Sequence, residues 1–194
     1  MDESKSISVI LEVSERIFFQ FGYSNTSMEE IANECGMSKK TIYKYFKSKE
    51  DILLECVKKR INYNSKIISN IIYSNEIIFY EKIEKIMMAT SENFKDLDIS
   101  FLYDIKKSCN EAWRLIENHK FNHIPEKFTY LINEGIKNGY VKEDVKADVV
   151  AHIYLSAMSN LLDSNFFSNT SHFSFIEIVK TIQNTIFYGV IKRV

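Results

Sequence analysis

Apolar residues recur at helical spacing along most of the chain. Ile10, Val13, Ile17, Phe18 and Phe21 share one face and predict an amphipathic first helix over about Ser6–Phe21. Gly22 stands where a helix closes in a left-handed residue. Ser27-x-x-Glu30 is a capping box opening a second helix, with Ile31 and Ala32 as its packing positions. Gly36 closes that helix, and Ser38 is the expected N-cap of a third. Ile42 and Phe46, one turn apart, point with Met37 into a common core. Ser48 to Asp51 reads as another cap. The fourth helix that follows carries Ile52, Leu53, Cys56, Val57 and Ile61 and runs to about Tyr73.

Further helices are predicted at Ile77–Phe94, at Ile99–His119 with a bend, at Pro125–Asn138, at Lys146–Asn165 and at Phe175–Ile191. Pro125 suits a first turn, and Gly139 ends the helix it opens. Ser168–Ser174 is polar and reads as a loop. Five glycines and one proline are too few for the many turns of an all-β chain, so the fold class is all-α.

At 194 residues and 45% apolar composition, the chain can bury a substantial core. Three cysteines, far apart and without a CxxC, support neither a zinc ribbon nor a disulfide framework and fit a reduced, cytoplasmic setting. The N-terminus is acidic and polar, unlike a secretory signal, and no apolar run approaches the ~18–20 residues a membrane span needs. There is no GxSxG, P-loop, HExxH or glycine-rich nucleotide turn, so an enzyme is not expected. His119 and His123 are one turn apart, but Pro125 lies just beyond and no third ligand completes a site. Neither a metal nor a cofactor is expected.

Charge changes the picture locally. The net charge is −1, yet Lys39, Lys40, Lys44, Lys47 and Lys49 fall between Met37 and Lys49 with no acid among them. Lys40, Tyr43, Lys44 and Lys47 share the face opposite Ile42 and Phe46. Two short helices around a glycine turn, the second with such a face, form a helix-turn-helix whose second helix enters the DNA major groove. Lys39, Lys40 and Thr41 are placed for base edges, where an ammonium donates to guanine and the threonine methyl packs on thymine. Tyr43 and Tyr45 have phenolic donors for phosphates, and Lys44 suits either role. Ser38, Lys49 and the Thr26–Ser27 pair lie at helix N-termini, which favour anions. A lysine face can also be merely solvated, and Tyr45 can be packing beside Ile42.

The stretch FGYSNTSMEEIANECGMSKKTIYKYFKSKEDIL resembles the N-terminal domain of the TetR family of bacterial transcriptional regulators. The close resemblance covers about Ile10–Val57. It implies a three-helix DNA-binding domain over residues 1–48 and a larger helical ligand-binding and dimerisation domain over 49–194. It further implies a homodimer on a pseudo-palindromic operator in double-stranded DNA, most often as a repressor released by a small apolar or amphipathic effector. Lys40 departs from the small residue common at its position in the family, so operators of relatives do not transfer. Phe101, Tyr103 and Trp113, in the middle of the body, are candidates to line an effector pocket, although most rings in such a body are core. The apolar stripes of the last two helices, such as Val150, Ile153 and Met158 with Ile178, Ile182 and Val190, would pair with their symmetry mates or pack within one subunit, and both can hold at once. An effector would then favour one placement of the fourth helix, a population shift. The alternative is a helical DNA-binding protein controlled by a protein partner.

Overall fold

The computed structural model describes residues 2–94, 99–161 and 173–191. Among these the chain forms ten helices and no strand, apart from one antiparallel bridge between Val141 and Ile191. The helices are α1 Glu3–Phe21, α2 Met28–Glu34, α3 Lys39–Tyr45, α4 Lys49–Ile72, α5 Phe79–Phe94, α6 Ile99–Ser108, α7 Asn110–Asn122, α8 Ile124–Lys137, α9 Ala147–Asn160 and α10 Phe175–Val190. Packing divides the described chain into two units. One holds residues 2–62 with 99–117, and the other holds 63–94 with 118–161 and 173–191.

In the first unit, α1 buries Ile10, Ile17 and Phe18, and packs on α2, which packs on α3. The helix starts earlier than Ser6 because the Ser6 N–H and hydroxyl both donate to Asp2 O, at 3.0 and 3.2 Å, placing Ser6 inside the first turn. Phe101 of α6 meets Phe19 of α1 edge-on, with ring centres 4.8 Å apart. The Arg60 guanidinium lies 4.8 Å from the Phe19 ring centre and pairs with Glu15 at 2.9 Å. The bend expected between Ile99 and His119 is a break at Cys109. The Cys109 N–H still donates to Ile105 O at 2.9 Å, and its carbonyl accepts from the Trp113 N–H at 3.0 Å. The three thiols form no disulfide: Cys56 and Cys109 are buried, and Cys35 is half-buried. Burial pushes all three thiols up, Cys56 to about 12.

In the second unit, α8 packs on α9, and α10 packs on both α9 and α5. The core holds Phe79, Ile83, Ile86, Phe128, Leu131, Ile132, Ala151 and Phe187. Gly135 of α8 sits where a Cβ would lie 2.6 Å from both the Phe79 ring and Val141 Cγ2, so only a hydrogen fits. Lys82 is 2% exposed. Its ammonium donates to Ile72 O at 2.8 Å and to the two Glu134 oxygens at 2.8 and 2.9 Å. It therefore supplies a donor to the last turn of α4, whose carbonyls have no intrahelical partner. Burying the ammonium alone would cost several kcal/mol, and the Glu134 carboxylate with the helix-end carbonyl offsets that cost.

The boundaries expected from the sequence shift modestly here. α5 starts at Phe79, and Pro125 falls in the first turn of a helix opened by Ile124. Gly139 follows α8 with φ +77°, as a helix terminator requires. The end at Asn165 expected for the helix from Lys146 lies outside the described residues. So do residues 168–172 of the expected loop. Ser174 caps α10 reciprocally with Glu177.

Candidate nucleic-acid interface

Local chemistry assembles α2 and α3. The Ser27 N–H donates to Glu30 Oε2 at 2.6 Å, and the Glu30 N–H donates back to Ser27 Oγ at 3.2 Å. These Ser27 hydrogen bonds hold the Glu30 carboxyl below its usual range. Gly36 adopts φ +62°, and a Cβ there would meet nothing, so the glycine serves backbone conformation alone. The turn then leads to Ser38, whose Oγ accepts from the Thr41 N–H at 3.0 Å and lies 2.8 Å from Thr41 Oγ1. Ile42 and Phe46 are buried as their spacing predicts, whereas Met37 is only half-buried.

Anchoring Ile42 inward turns the other face of α3 outward. Lys39, Lys40, Tyr43 and Lys44, with Lys47 just past the helix end, are exposed. Lys39 lies 3.4 Å from Glu29 in an exposed pair, which is worth little in water. Tyr45 is half-buried, with the Lys44 ammonium 5.2 Å from its ring centre.

Thr26, Ser27 and Lys49 serve the approach to α2. Thr26 is buried, and its hydroxyl donates to Gly22 O at 2.8 Å. Ser27 is exposed but committed to its capping box with Glu30. The Lys49 ammonium donates to Tyr23 O at 2.6 Å and Thr26 O at 2.5 Å, and lies 4.3 Å from the Tyr23 ring centre. Burial lowers its pKa, against the nearby charges of Asp104 and Glu30. The Tyr23 phenol is pushed up to about 12, by burial first and then by Cys109, Glu50 and Asp104. The Thr26 hydroxyl and the Lys49 ammonium, expected to face phosphates, are thus turned onto main-chain carbonyls.

The three effector candidates fall in the first unit. Phe101 and Trp113 are buried, Phe101 against Phe19, and Tyr103 is half-buried. His119 and His123 place their ring centres 5.6 Å apart, and burial, then His123 and Lys127, push His119 down. No group of three metal-ligating side chains occurs among the described residues. No helix there is long and apolar enough to cross a membrane. Sequence reasoning missed a polar pair in the second unit. Gln183 Nε2 lies 3.5 Å from the hydroxyl of Tyr154, whose ring stacks on Phe128 at 5.0 Å.

A serine-capped helix pair around a glycine turn, with a lysine face held outward by a buried isoleucine, has the form of a helix-turn-helix. Residues 10–56 match the family described as "Bacterial regulatory proteins, tetR family". Over 185 residues the chain is 26% identical to the uncharacterized HTH-type transcriptional regulator YvaF of Bacillus subtilis (strain 168), covering 93% of each chain. It is 26% identical over 147 residues to the fatty acid metabolism regulator protein of the same organism, covering 69% of this chain and 70% of that one. The fold is similar to that of the transcriptional regulator FadR from Bacillus subtilis in complex with stearoyl-CoA. The TM-score is 0.69 at 18% identity, over 94% of this chain and 98% of that one. Residues 10–56 are thus the DNA-reading segment of the TetR family of bacterial transcriptional regulators, and the relatives matched over most of the chain are named as regulators of transcription.

Proposed function

We propose that this regulator is a homodimeric repressor that reads a pseudo-palindromic operator through α3 and leaves it when a small amphipathic molecule binds. The observation that carries this reading is the outward face of α3. Lys39, Lys40, Tyr43 and Lys44 are exposed on a helix capped by Ser38 and anchored by the buried Ile42. Lys39, Lys40 and Thr41 contact base edges, while Tyr43 and Lys44 contact phosphates.

One such head buries little surface, so two copies are needed. Exposed apolar residues on the last two helices, Val149 and Ile153 of α9 and Tyr188 of α10, support a four-helix interface between protomers. The amphipathic class of the effector is supported by the stearoyl-CoA held in the structure of similar fold.

Selection of duplexes from a randomised pool tests the reading, followed by gel shifts across salt. An inverted repeat is expected to emerge, bound by a dimer. Each phosphate neutralised gives a slope of about −0.9 in log K against log salt, so four contacts lose ~100-fold between about 50 and 200 mM. A salt-independent affinity, or a monomer that enriches no inverted repeat, would count against the head or the pairing respectively.

A further inference from the structure

The loop between α1 and α2 is gripped by two opposite charges that come from later in the chain. Lys49, the first residue of α4, donates its ammonium to Tyr23 O and Thr26 O. Asp104 of α6 takes the neighbouring donors. The Ser24 N–H donates to Asp104 Oδ2 at 2.7 Å, and the Ser24 hydroxyl donates to Asp104 Oδ1. The Ser108 hydroxyl completes the carboxylate at 3.0 Å and lies 2.8 Å from Ser24 Oγ.

Tyr23 C=O and Ser24 N–H belong to one peptide group. In a planar trans peptide the C=O and N–H bonds point in opposite directions. The ammonium therefore holds one edge of the Tyr23–Ser24 plane and the carboxylate holds the other, each through charge-assisted hydrogen bonds. Gly22, just before it, permits the close approach. It has φ +86°, and a Cβ there would lie 3.2 Å from Asp104 Oδ2. Burial raises the Asp104 carboxyl, but the hydrogen bonds from Ser24 and Ser108 outweigh it and hold the group below its usual range. The carboxylate is thus charged whenever the protein is near neutral pH.

We propose that Asp104 is a positioning residue for DNA reading: with Lys49 it fixes the Tyr23–Ser24 peptide plane, and so the angle at which α2, with α3 packed on it, leaves α1. The inference rests on the reading of α3 as the DNA-contacting helix. Asp104 itself touches no DNA. Its effect passes through the loop to the lysine face, which must be held to within about 0.5 Å of its bonding geometry at the base edges.

The probe is a duplex enriched by the wild-type protein from a randomised pool. Affinity is measured per active protein, with the active fraction titrated so that partial misfolding does not register. Asp104→Leu is expected to weaken binding at least tenfold while the far-UV circular dichroism stays helical. Asp104→Asn, which keeps an oxygen for the Ser24 N–H, is expected to recover part of the loss. In the Leu variant the Ser24 amide should exchange its hydrogen faster, with the amides of Ile31 and Ile42 unchanged. Ser24→Ala removes only the hydroxyl, and its combination with Asp104→Asn should cost less than the two changes added, since both act on one contact. That cycle decides the matter even if Asp104→Leu does not fold. Wild-type affinity in every variant, or strict additivity in the cycle, overturns the role of Asp104. Failure of the wild-type protein to enrich any duplex overturns the DNA reading and this inference with it.

Discussion

Lys40→Ala is expected to relax base preference at one position in each half-site and to weaken the selected operator strongly. A bidentate contact to a base edge is worth ~1–3 kcal/mol of discrimination, and a dimer makes it twice. The expected loss is therefore ~2–6 kcal/mol, at least ~30-fold in affinity. Binding to unrelated duplexes should fall far less, because only the charge contribution is lost there. The side chain is exposed, so the fold should survive the change. Repeating the duplex selection with the variant checks this directly. An unaltered consensus would mean that Lys40 reads no base and that the lysine face supplies charge alone.

Gly135→Ala should destabilise the protein, against the usual sign of that exchange. In an exposed helix interior, alanine is better than glycine by about 1 kcal/mol. Gly135 lies inside α8, and its added methyl would sit 2.6 Å from the Phe79 ring and from Val141. Ring atoms and a β-branched neighbour cannot swing aside, so overpacking costing ~1–3 kcal/mol outweighs the propensity gain. Thermal unfolding would show a lower midpoint. Phe79→Leu in the same chain should recover part of the loss, because the two changes meet at one contact. A raised midpoint for Gly135→Ala alone would show that α8 and α5 can shift apart cheaply.

The DNA-binding head was legible in the sequence because its determinants are close together. Ser27 and Glu30, Gly36, Ser38 and Thr41, and Ile42 with Phe46 each act within one helical turn or one tight turn. The same locality made α10 readable through Ser174 and Glu177. What stayed hidden depends on partners distant in the chain. Lys49 is visible as a charge, but nothing near it shows its ammonium turned toward Tyr23 O. Asp104 lies 80 residues from Ser24, and Lys82 lies 52 from Glu134. No spacing rule reaches that far. The break at Cys109 has neither glycine nor proline to announce it. Phe101 and Trp113 stand out in the sequence only by their place along the chain, a property that does not distinguish a pocket wall from an ordinary buried ring.

The thiols offer a practical route into this molecule. Attack on an alkylating reagent needs both a thiolate and access to it. Cys56 and Cys109 lack access, while Cys35, at the end of α2, is partly open to solvent. A maleimide fluorophore added under native conditions therefore lands on one native handle, a single residue from the glycine turn. Docking of the neighbouring helix onto a duplex could then be followed by anisotropy without engineering any attachment point.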